Sequence, residues 1–191
     1  MGCDVINGYM HFLEETYNNG GKNKFFAHQF FINVIEDEAT FEKVVNKQDF
    51  KKGWAKWEKL FFPLQHNNHW FLIVADKVKE EILVYDSLAH YNKHHSYGVK
   101  KLIDRQKTKK GNEVVDTQQL RDKEVFQRQH DGVNCGYFTC WYAHQVVTNQ
   151  PVAGWSGNYH EEVQKVRENI MCSLVHNAIV TEEAKHIVWN N

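Results

Sequence analysis

The sequence "HWFLIVADKVKEEILVYDSL" (residues 69–88) has the pattern of a β-hairpin. Two runs rich in β-branched and aromatic residues flank the charged connection "KVKE". With the loop centred on that connection, residue 76 faces residue 81, and opposed apolar pairs favour this register: Ile73 with Val84 and Ala75 with Ile82. A shift of one residue would turn every side chain to the opposite face. The hairpin therefore predicts a sheet at the centre of the fold.

The same register brings a histidine and an aspartate together. His69 opens the first run and Asp86 closes the second, on one face of the hairpin. As diagonal neighbours they lie within reach of a hydrogen bond. A carboxylate at this position would set the imidazole tautomer and stabilise the imidazolium. Alone, such a pair is ordinarily structural, so its meaning depends on whether a nucleophile lies nearby.

A candidate nucleophile is found in "QRQHDGVNCGYFTC" (residues 127–140). Cys135 follows a polar turn with two candidate helix caps, Asp131 and Asn134, and opens an apolar segment. A helix N-terminus and a neighbouring imidazolium both lower the pKa of a thiol and make it a nucleophile. The competing interpretation is a core cysteine that behaves as a small hydrophobic residue.

Two neighbours of Cys135 favour the functional interpretation. The amide of Gln129 could donate to a developing oxyanion together with the backbone N–H of Cys135. Gly136 is expected to leave the surroundings of the nucleophile open to a substrate. A base, an acid that orients it, an oxyanion donor and a nucleophile thus all have candidates.

The remaining sequence mixes helices with strands, which indicates an α+β fold. The apolar segment "CGYFTCWYAHQVV", which begins at Cys135, predicts a helix buried in the domain. An amphipathic helix is expected over residues 4–18. Further elements are a helix in "ATFEKVVNK" (39–47), a lead into the sheet in "GWAKWEKLFF" (53–62), a helix over 94–106, a loop in "TKKGNE" (108–113), a strand in "KEVFQRQ" (123–129) and a C-terminal amphipathic helix. The segment "FFAHQFFINVI" (25–35) fits a helix or a strand.

Composition limits the classes of function. A chain of 191 residues with a net charge of −1 fits one domain, residues 1–191, and gives no electrostatic argument for nucleic acid or an anionic membrane. No apolar run approaches membrane-spanning length, and no signal peptide is recognised. The four cysteines are scattered and form no CxxC pair: Cys3, Cys135, Cys140 and Cys172. We therefore expect a monomer in a reducing intracellular compartment, the nucleus or the cytoplasm.

The order of these motifs resembles a known family. His69-Trp70, then Asp86, then Gln-x5-Cys-Gly ending at Gly136 is similar to the ubiquitin-like-protein-specific cysteine proteases, the sentrin or SUMO proteases of the adenain-like clan. The stretch "DVINGYMHFL" looks like the first helix of that family, so the resemblance covers nearly the whole chain. It implies a papain-like, adenain-like fold: a central mixed sheet with an antiparallel hairpin, packed against a buried helix that starts at the nucleophile.

The resemblance also implies roles for individual residues. They are the general base His69, its orienting acid Asp86, the nucleophile Cys135, the oxyanion-hole residue Gln129, the indole Trp70 that walls a narrow tunnel for a Gly-Gly tail, and Asp4, which faces the bound modifier. Only glycines fit where the backbone passes between indoles.

The sequence departs from the family's pattern at two places. The family's first-helix motif begins with a Trp-Leu-Asn-Asp-like sequence, whereas Met1, Gly2 and Cys3 precede Asp4 here. The second indole of the tunnel and the family's N-terminal lead-in are therefore expected to be missing. Asn134 stands where many relatives carry an aspartate.

The implied activity is that of a thiol peptidase or isopeptidase, a hydrolase that cleaves after the C-terminal Gly-Gly of a ubiquitin-like modifier. SUMO and its conjugates are the expected partners, in deconjugation or precursor maturation. The chemistry calls for no metal and no cofactor. Three alternatives stay open: another modifier (the cullin modifier or ubiquitin), acetyl transfer on the same residues, and a module that binds a modifier without cleaving it.

Overall fold

The computed structural model describes residues 1–88, 93–107, 127–152 and 154–189. Its helices are α1 (Cys3–Tyr17), α2 (His28–Phe30), α3 (Glu38–Val45), α4 (Gln48–Lys56), α5 (Lys93–Lys107), α6 (Cys135–Val147) and α7 (Tyr159–Trp189), and its strands are β1 (Asn23–Phe25), β2 (Lys59–His66), β3 (His69–Asp76) and β4 (Glu81–Tyr85). The α+β class is confirmed. The loop expected at 108–113 and the first four residues of the expected strand at 123–129 lie outside the described residues, and residues 127–129 are not a strand.

The four strands form one mixed sheet in the order β1-β2-β3-β4. β1 runs parallel to β2, and the other two pairings are antiparallel. The predicted hairpin register is confirmed, because Asp76 pairs with Glu81 and Ile73 pairs with Val84. His69, at the start of β3, and Asp86, directly after β4, therefore lie at the same end of the sheet, as the sequence predicted.

A second hairpin joins β2 to β3 through a two-residue turn. Asn67 and Asn68 have φ values of 50° and 60°, and asparagine tolerates the left-handed region that a type I′ turn requires at both positions. Pro63 lies within β2, although proline cannot donate a ladder hydrogen bond. It is accommodated because β1 pairs with β2 only as far as Phe61, so no strand needs an N–H at that position.

The sheet has a hydrophobic core on each face. One core joins α1, α6 and α7 to the alternate strand residues Phe61, Trp70, Leu72, Val74 and Tyr85. The other packs α3, α5 and the segment 26–35 on the opposite face, including Leu60, Phe71, Ile73, Ala75 and Ile82. This alternation is the period-two pattern of a sheet buried on both sides. The core places α6 against β3, as expected for the buried helix.

Two segments differ from what the sequence predicted. Residues 25–35 divide into the end of β1, the short helix α2 and a π-helical turn at Phe31–Ile35. Part of the aromatic stretch 53–62 belongs to α4, which ends at Lys56 before β2 begins. Within the residues the structure describes, none of the helices has both the length and the apolar character needed to cross a bilayer.

Candidate active site

His69 and Asp86 form the hydrogen bond that the hairpin register predicted. The distance from His69 Nε2 to Asp86 Oδ1 is 2.6 Å, and the Asp86 side chain is only 3% exposed. The backbone N–H of Leu88 donates to the same carboxylate oxygen at 2.9 Å. Burial opposes ionisation of Asp86, but the bonds from His69 and Leu88 outweigh it and lower the pKa of the carboxyl. Asp86 therefore holds a buried negative charge next to the imidazole of His69.

Cys135 is the first residue of α6, and its thiol interacts with His69, the same imidazole that Asp86 hydrogen-bonds. The His69 imidazole and the backbone N–H groups of Trp70 and Gly136 all favour the thiolate form of the Cys135 side chain. Since Nε2 of His69 is engaged by Asp86, the ring has Nδ1 left for the thiol. Burial disfavours the thiolate, yet these three donors more than compensate and lower the pKa of Cys135.

The pKa of the His69 imidazole is shifted in the opposite direction to that of the Cys135 thiol. Burial disfavours the imidazolium of His69, but the hydrogen bonds to Asp86 and Cys135 prevail and raise its pKa to about 9. A lowered thiol pKa beside a raised imidazole pKa favours the thiolate–imidazolium pair at neutral pH. Such a pair has the chemical properties of an activated nucleophile next to a proton donor.

The start of α6 has no side-chain cap. Asn134 occupies the N-cap position and makes no capping hydrogen bond. The expectation that Asp131 or Asn134 caps the helix is therefore wrong. Without a cap, the first backbone N–H groups of the helix are available to an anion at this position. Two of these N–H groups belong to Cys135 and Gly136, and that of Gly136 favours the thiolate.

Asp131 instead shapes the loop before the nucleophile. Its Oδ1 accepts from the backbone N–H groups of Val133 and Asn134, at 2.9 and 3.0 Å. Its Oδ2 accepts from Asn134 Nδ2 at 2.9 Å and from the hydroxyl of Tyr159 at 2.5 Å. Burial works against the charge, but these bonds, led by that from Tyr159, lower the pKa of Asp131 to about 2. An ionised Asp131 thus holds the turn that delivers Cys135.

Gln129 lies at the opposite end of this loop with its side chain fixed at both atoms. Its Oε1 accepts from the hydroxyl of Ser87 at 2.5 Å, and its Nε2 donates to the carbonyl of Asp131 at 2.5 Å. Gln129 is 5% exposed. Sequence reasoning overlooked Ser87, although its position directly after Asp86 was a usable signal, because the two residues leave the sheet together.

Gly136 has a different role from the one expected. A Cβ atom built on it would lie 2.8 Å from Cβ of Met1, 3.1 Å from its sulfur and 3.3 Å from Cδ1 of Ile6. The glycine therefore admits the N-terminal residues against the start of α6. The expectation that it leaves space open to a substrate is wrong at this point.

The two candidate substrate-binding residues differ in accessibility. Trp70 is 2% exposed, and its indole packs edge-on against the His28 ring with centroids 5.0 Å apart. Asp4 is exposed in the first turn of α1. Among the described side chains, no group of three or more His, Cys, Asp or Glu residues is arranged to hold a metal ion.

Comparison with known proteins identifies relatives of the whole arrangement. The sequence matches the Ulp1 protease family, C-terminal catalytic domain, over residues 1–174. Mouse sentrin-specific protease 2 is 27% identical over 162 residues, which cover 78% of this chain and 26% of the mouse protein. The chain thus spans about a quarter of the length of that relative.

Solved structures share the fold. SUMO protease Ulp1 with its catalytic cysteine oxidised to a sulfonic acid superimposes with a TM-score of 0.73 at 20% identity, covering 93% of this chain and 78% of that one. The C-terminal Ulp1 protease domain in complex with Smt3, the yeast orthologue of SUMO, gives 0.68 at 19% identity, covering 92% and 76%. These likenesses confirm the adenain-like cysteine protease fold.

Proposed function

This chain belongs to the Ulp1 protease family, and we propose that it is a thiol peptidase or isopeptidase that cleaves after the C-terminal Gly-Gly of SUMO. The observation that carries the proposal is the thiol of Cys135 at the uncapped start of α6, whose thiolate is favoured by a His69 imidazole that hydrogen-bonds Asp86 at 2.6 Å. An isolated core cysteine has no physical need for this arrangement. A thiolate nucleophile requires it.

In the acylation step, the Cys135 thiolate attacks the carbonyl carbon of the modifier's terminal glycine. The C–S bond forms while the carbonyl electron pair moves to oxygen, where the Cys135 N–H and the Gln129 amide receive the negative charge. When the intermediate collapses, the C–N bond breaks and the His69 imidazolium gives its proton to the departing amine. That amine is a lysine ε-amine in deconjugation or a peptide N-terminus in maturation.

In the deacylation step, water attacks the thioester. The neutral imidazole of His69 takes the proton from this water, and the thiolate of Cys135 leaves with the C–S bond electrons. Asp86 stays ionised throughout, because its pKa is held low, and stabilises the imidazolium each time it forms. The cycle consumes one water and restores the starting ion pair.

The choice of SUMO rests on the relatives. Mouse sentrin-specific protease 2 and the Ulp1 domain solved with Smt3 are among the proteins to which this chain is similar. Trp70 and Asp4 are the residues proposed to contact the modifier, Trp70 at the Gly-Gly tail and Asp4 on its globular part. We take residues 1–191 as one catalytic domain acting as a monomer in the nucleus or cytoplasm, where the four free thiols stay reduced.

The test uses C-terminal electrophilic probes of SUMO, the cullin modifier and ubiquitin. Each probe is incubated with the protein, and intact mass is read for a covalent adduct. We expect an adduct with the SUMO probe that is absent in Cys135→Ala and retained in Cys172→Ala, which removes an exposed thiol on α7. The matched pair separates the proposed nucleophile from adventitious thiol labelling.

Other outcomes identify the alternatives. An adduct with the ubiquitin or cullin-modifier probe alone would keep the chemistry and replace the substrate. If Cys135 reacts with a small alkylator but with none of the probes, another acyl substrate is implied and the SUMO proposal fails. An unreactive Cys135 would contradict the protease mechanism and favour a module that binds without cleaving.

A further inference from the structure

We propose that Ser87 is a positioning residue that locks the Gln129 side-chain amide in the orientation needed to donate to the oxyanion. The inference rests on the proposed function for its catalytic meaning. Its structural part, the locked amide, stands independently, because it concerns only contacts within the chain.

The orientation of the Gln129 amide follows from what its partners can do. The carbonyl of Asp131 only accepts hydrogen bonds, so the amide atom 2.5 Å from it must be Nε2. The other amide atom is then Oε1, which only accepts, and Ser87 Oγ at 2.5 Å must donate to it. The flip of this amide, which is ordinarily ambiguous, is therefore determined by the two contacts.

The amide keeps a donor for chemistry. Nε2 of Gln129 carries two hydrogens, and the Asp131 carbonyl takes one of them. The second hydrogen remains to meet the developing oxyanion together with the Cys135 N–H. If the amide flipped, Oε1 would face that position and would repel the negative charge. Ser87 disfavours the flip, because its hydroxyl would lose its acceptor inside the protein.

Ser87 is placed to act as a fixed point. It is 1% exposed and directly follows Asp86, so the turn that carries the orienting carboxylate also carries this hydroxyl. Its backbone carbonyl accepts from the N–H of Gln129 at 3.2 Å, and Arg128 Nη1 donates to the carbonyl of Asp86 at 2.6 Å. Residues 86–87 and 128–129 are thus joined by side-chain and backbone bonds. One turn therefore orients both the base and the oxyanion donor.

A role in positioning Gln129 makes a kinetic prediction that general stabilisation does not. Ser87→Ala leaves Oε1 without its donor, and the amide samples the flipped state. Since loss of an oxyanion donor costs about 10²- to 10³-fold in kcat, we expect Ser87→Ala to lower kcat on a SUMO C-terminal coumarin amide by about 10- to 100-fold. KM should stay unchanged. Alkylation of Cys135 by chloroacetamide should also stay unchanged, because that reaction forms no oxyanion.

A double-mutant cycle supplies the decisive comparison. In a Gln129→Ala background there is no amide to position, so Ser87→Ala should lower kcat no further. Thr148→Val serves as the matched control, since it removes a hydroxyl at the far end of α6, where Thr148 bonds the His144 carbonyl. It should behave as the unmodified protein. Additive losses, an unchanged kcat, or an equal loss of alkylation rate in Ser87→Ala would each overturn the inference.

A second measurement tests the locked amide without enzyme activity. The side-chain ¹⁵N–H resonances of Gln129 are assigned in the Cys135→Ala protein with and without Ser87→Ala. We expect two sharp resonances in the first, with slow exchange of the proton that is donated to the Asp131 carbonyl, and broadened resonances with rapid exchange of both protons in the second. No change would overturn the role of Ser87. If Ser87→Ala frees the amide but the unmodified protein, with Cys135 present, hydrolyses none of the modifier substrates, the proposed function is refuted and the positioning role stands.

Discussion

Cys135 and Cys140 lie on the same helix, five residues apart, and both are buried thiols, at 7% and 0% exposure. Their pKa values nevertheless move in opposite directions. Burial raises the pKa of Cys140, with no opposing donor. The same burial is outweighed at Cys135 by His69 and by two backbone N–H groups. Burial alone therefore makes a thiol inert, and donors at a helix start make it reactive.

The difference comes from position along α6. Cys135 is its first residue, where backbone N–H groups have no partner within the helix, whereas the backbone around Cys140 is already hydrogen-bonded. Cys140 faces the core shared by α1 and α6, where its sulfur behaves as a small apolar group. The sequence shows the same residue type twice in "CGYFTC", and only the helix boundary tells the two apart.

Exchanging each thiol for alanine gives the largest expected contrast. Cys135→Ala should abolish hydrolysis of the modifier substrate, a loss on the order of 10⁴-fold or more, because no other group can form the acyl-enzyme. Cys140→Ala should retain kcat and lose about 1 kcal/mol of stability from a small cavity. Steady-state kinetics and urea unfolding of both variants check this. Hydrolysis surviving in Cys135→Ala would contradict the proposed nucleophile.

Removing the imidazole should make Cys135 resemble Cys140. In His69→Ala the thiol loses the imidazole that favours its thiolate, so its pKa rises and the thiolate fraction at pH 7 falls. We expect the rate of chloroacetamide alkylation at pH 7 to drop on the order of 10- to 100-fold. The measurement is the adduct mass at Cys135 against time.

His66→Ala is the matched control for that experiment. His66 pairs with His69 across the β2–β3 hairpin, but its side chain is exposed. Its loss should leave the alkylation rate unchanged. Equal effects of the two substitutions would mean that bulk electrostatics, and not the hydrogen bond from His69, activates the thiol.

Part of this site could be predicted from sequence because it depends on periodicity. The apolar alternation of the β3–β4 hairpin determined its register, and the register determined that His69 meets Asp86. The start of the buried helix at Cys135 followed from the apolar run after a polar turn. Both inferences use local patterns, which a single sequence contains.

The remainder depends on contacts between distant segments. Asp131 was expected to cap α6, but Tyr159, which lies beyond that helix, draws its carboxylate into the preceding loop. Met1 and Gly136 lie close together at the start of α6, although they are 135 positions apart in the sequence. Nothing in the local composition of either segment encodes such a meeting, so an open surface and a packed one look the same in the sequence.

Neutralising Asp86 should narrow the pH range of activity. The active ion pair needs a protonated His69, whose pKa of about 9 depends on hydrogen bonds that include the one it donates to the Asp86 carboxylate. With Asp86→Asn that support weakens while burial still lowers the pKa, so the imidazolium is lost at lower pH. The alkaline limb of kcat/KM, expected near pH 9, should move down by one unit or more. An unmoved alkaline limb would show that Asp86 does not set the pKa of His69.

The smallest effect concerns the packing that surrounds the start of α6 and distinguishes it from the helix interior. Gly136→Ala places a Cβ 2.8 Å from Cβ of Met1, so the N-terminal residues must shift, and we expect a loss of about 1–3 kcal/mol in the free energy of unfolding. Gly132→Ala, in the loop just before α6, is the matched control, since no atom lies within 4 Å of its added Cβ. Urea unfolding should separate the two variants. Equal stabilities would mean that Met1 does not pack on Gly136 in solution, and the start of α6 would then be open to substrate on that side.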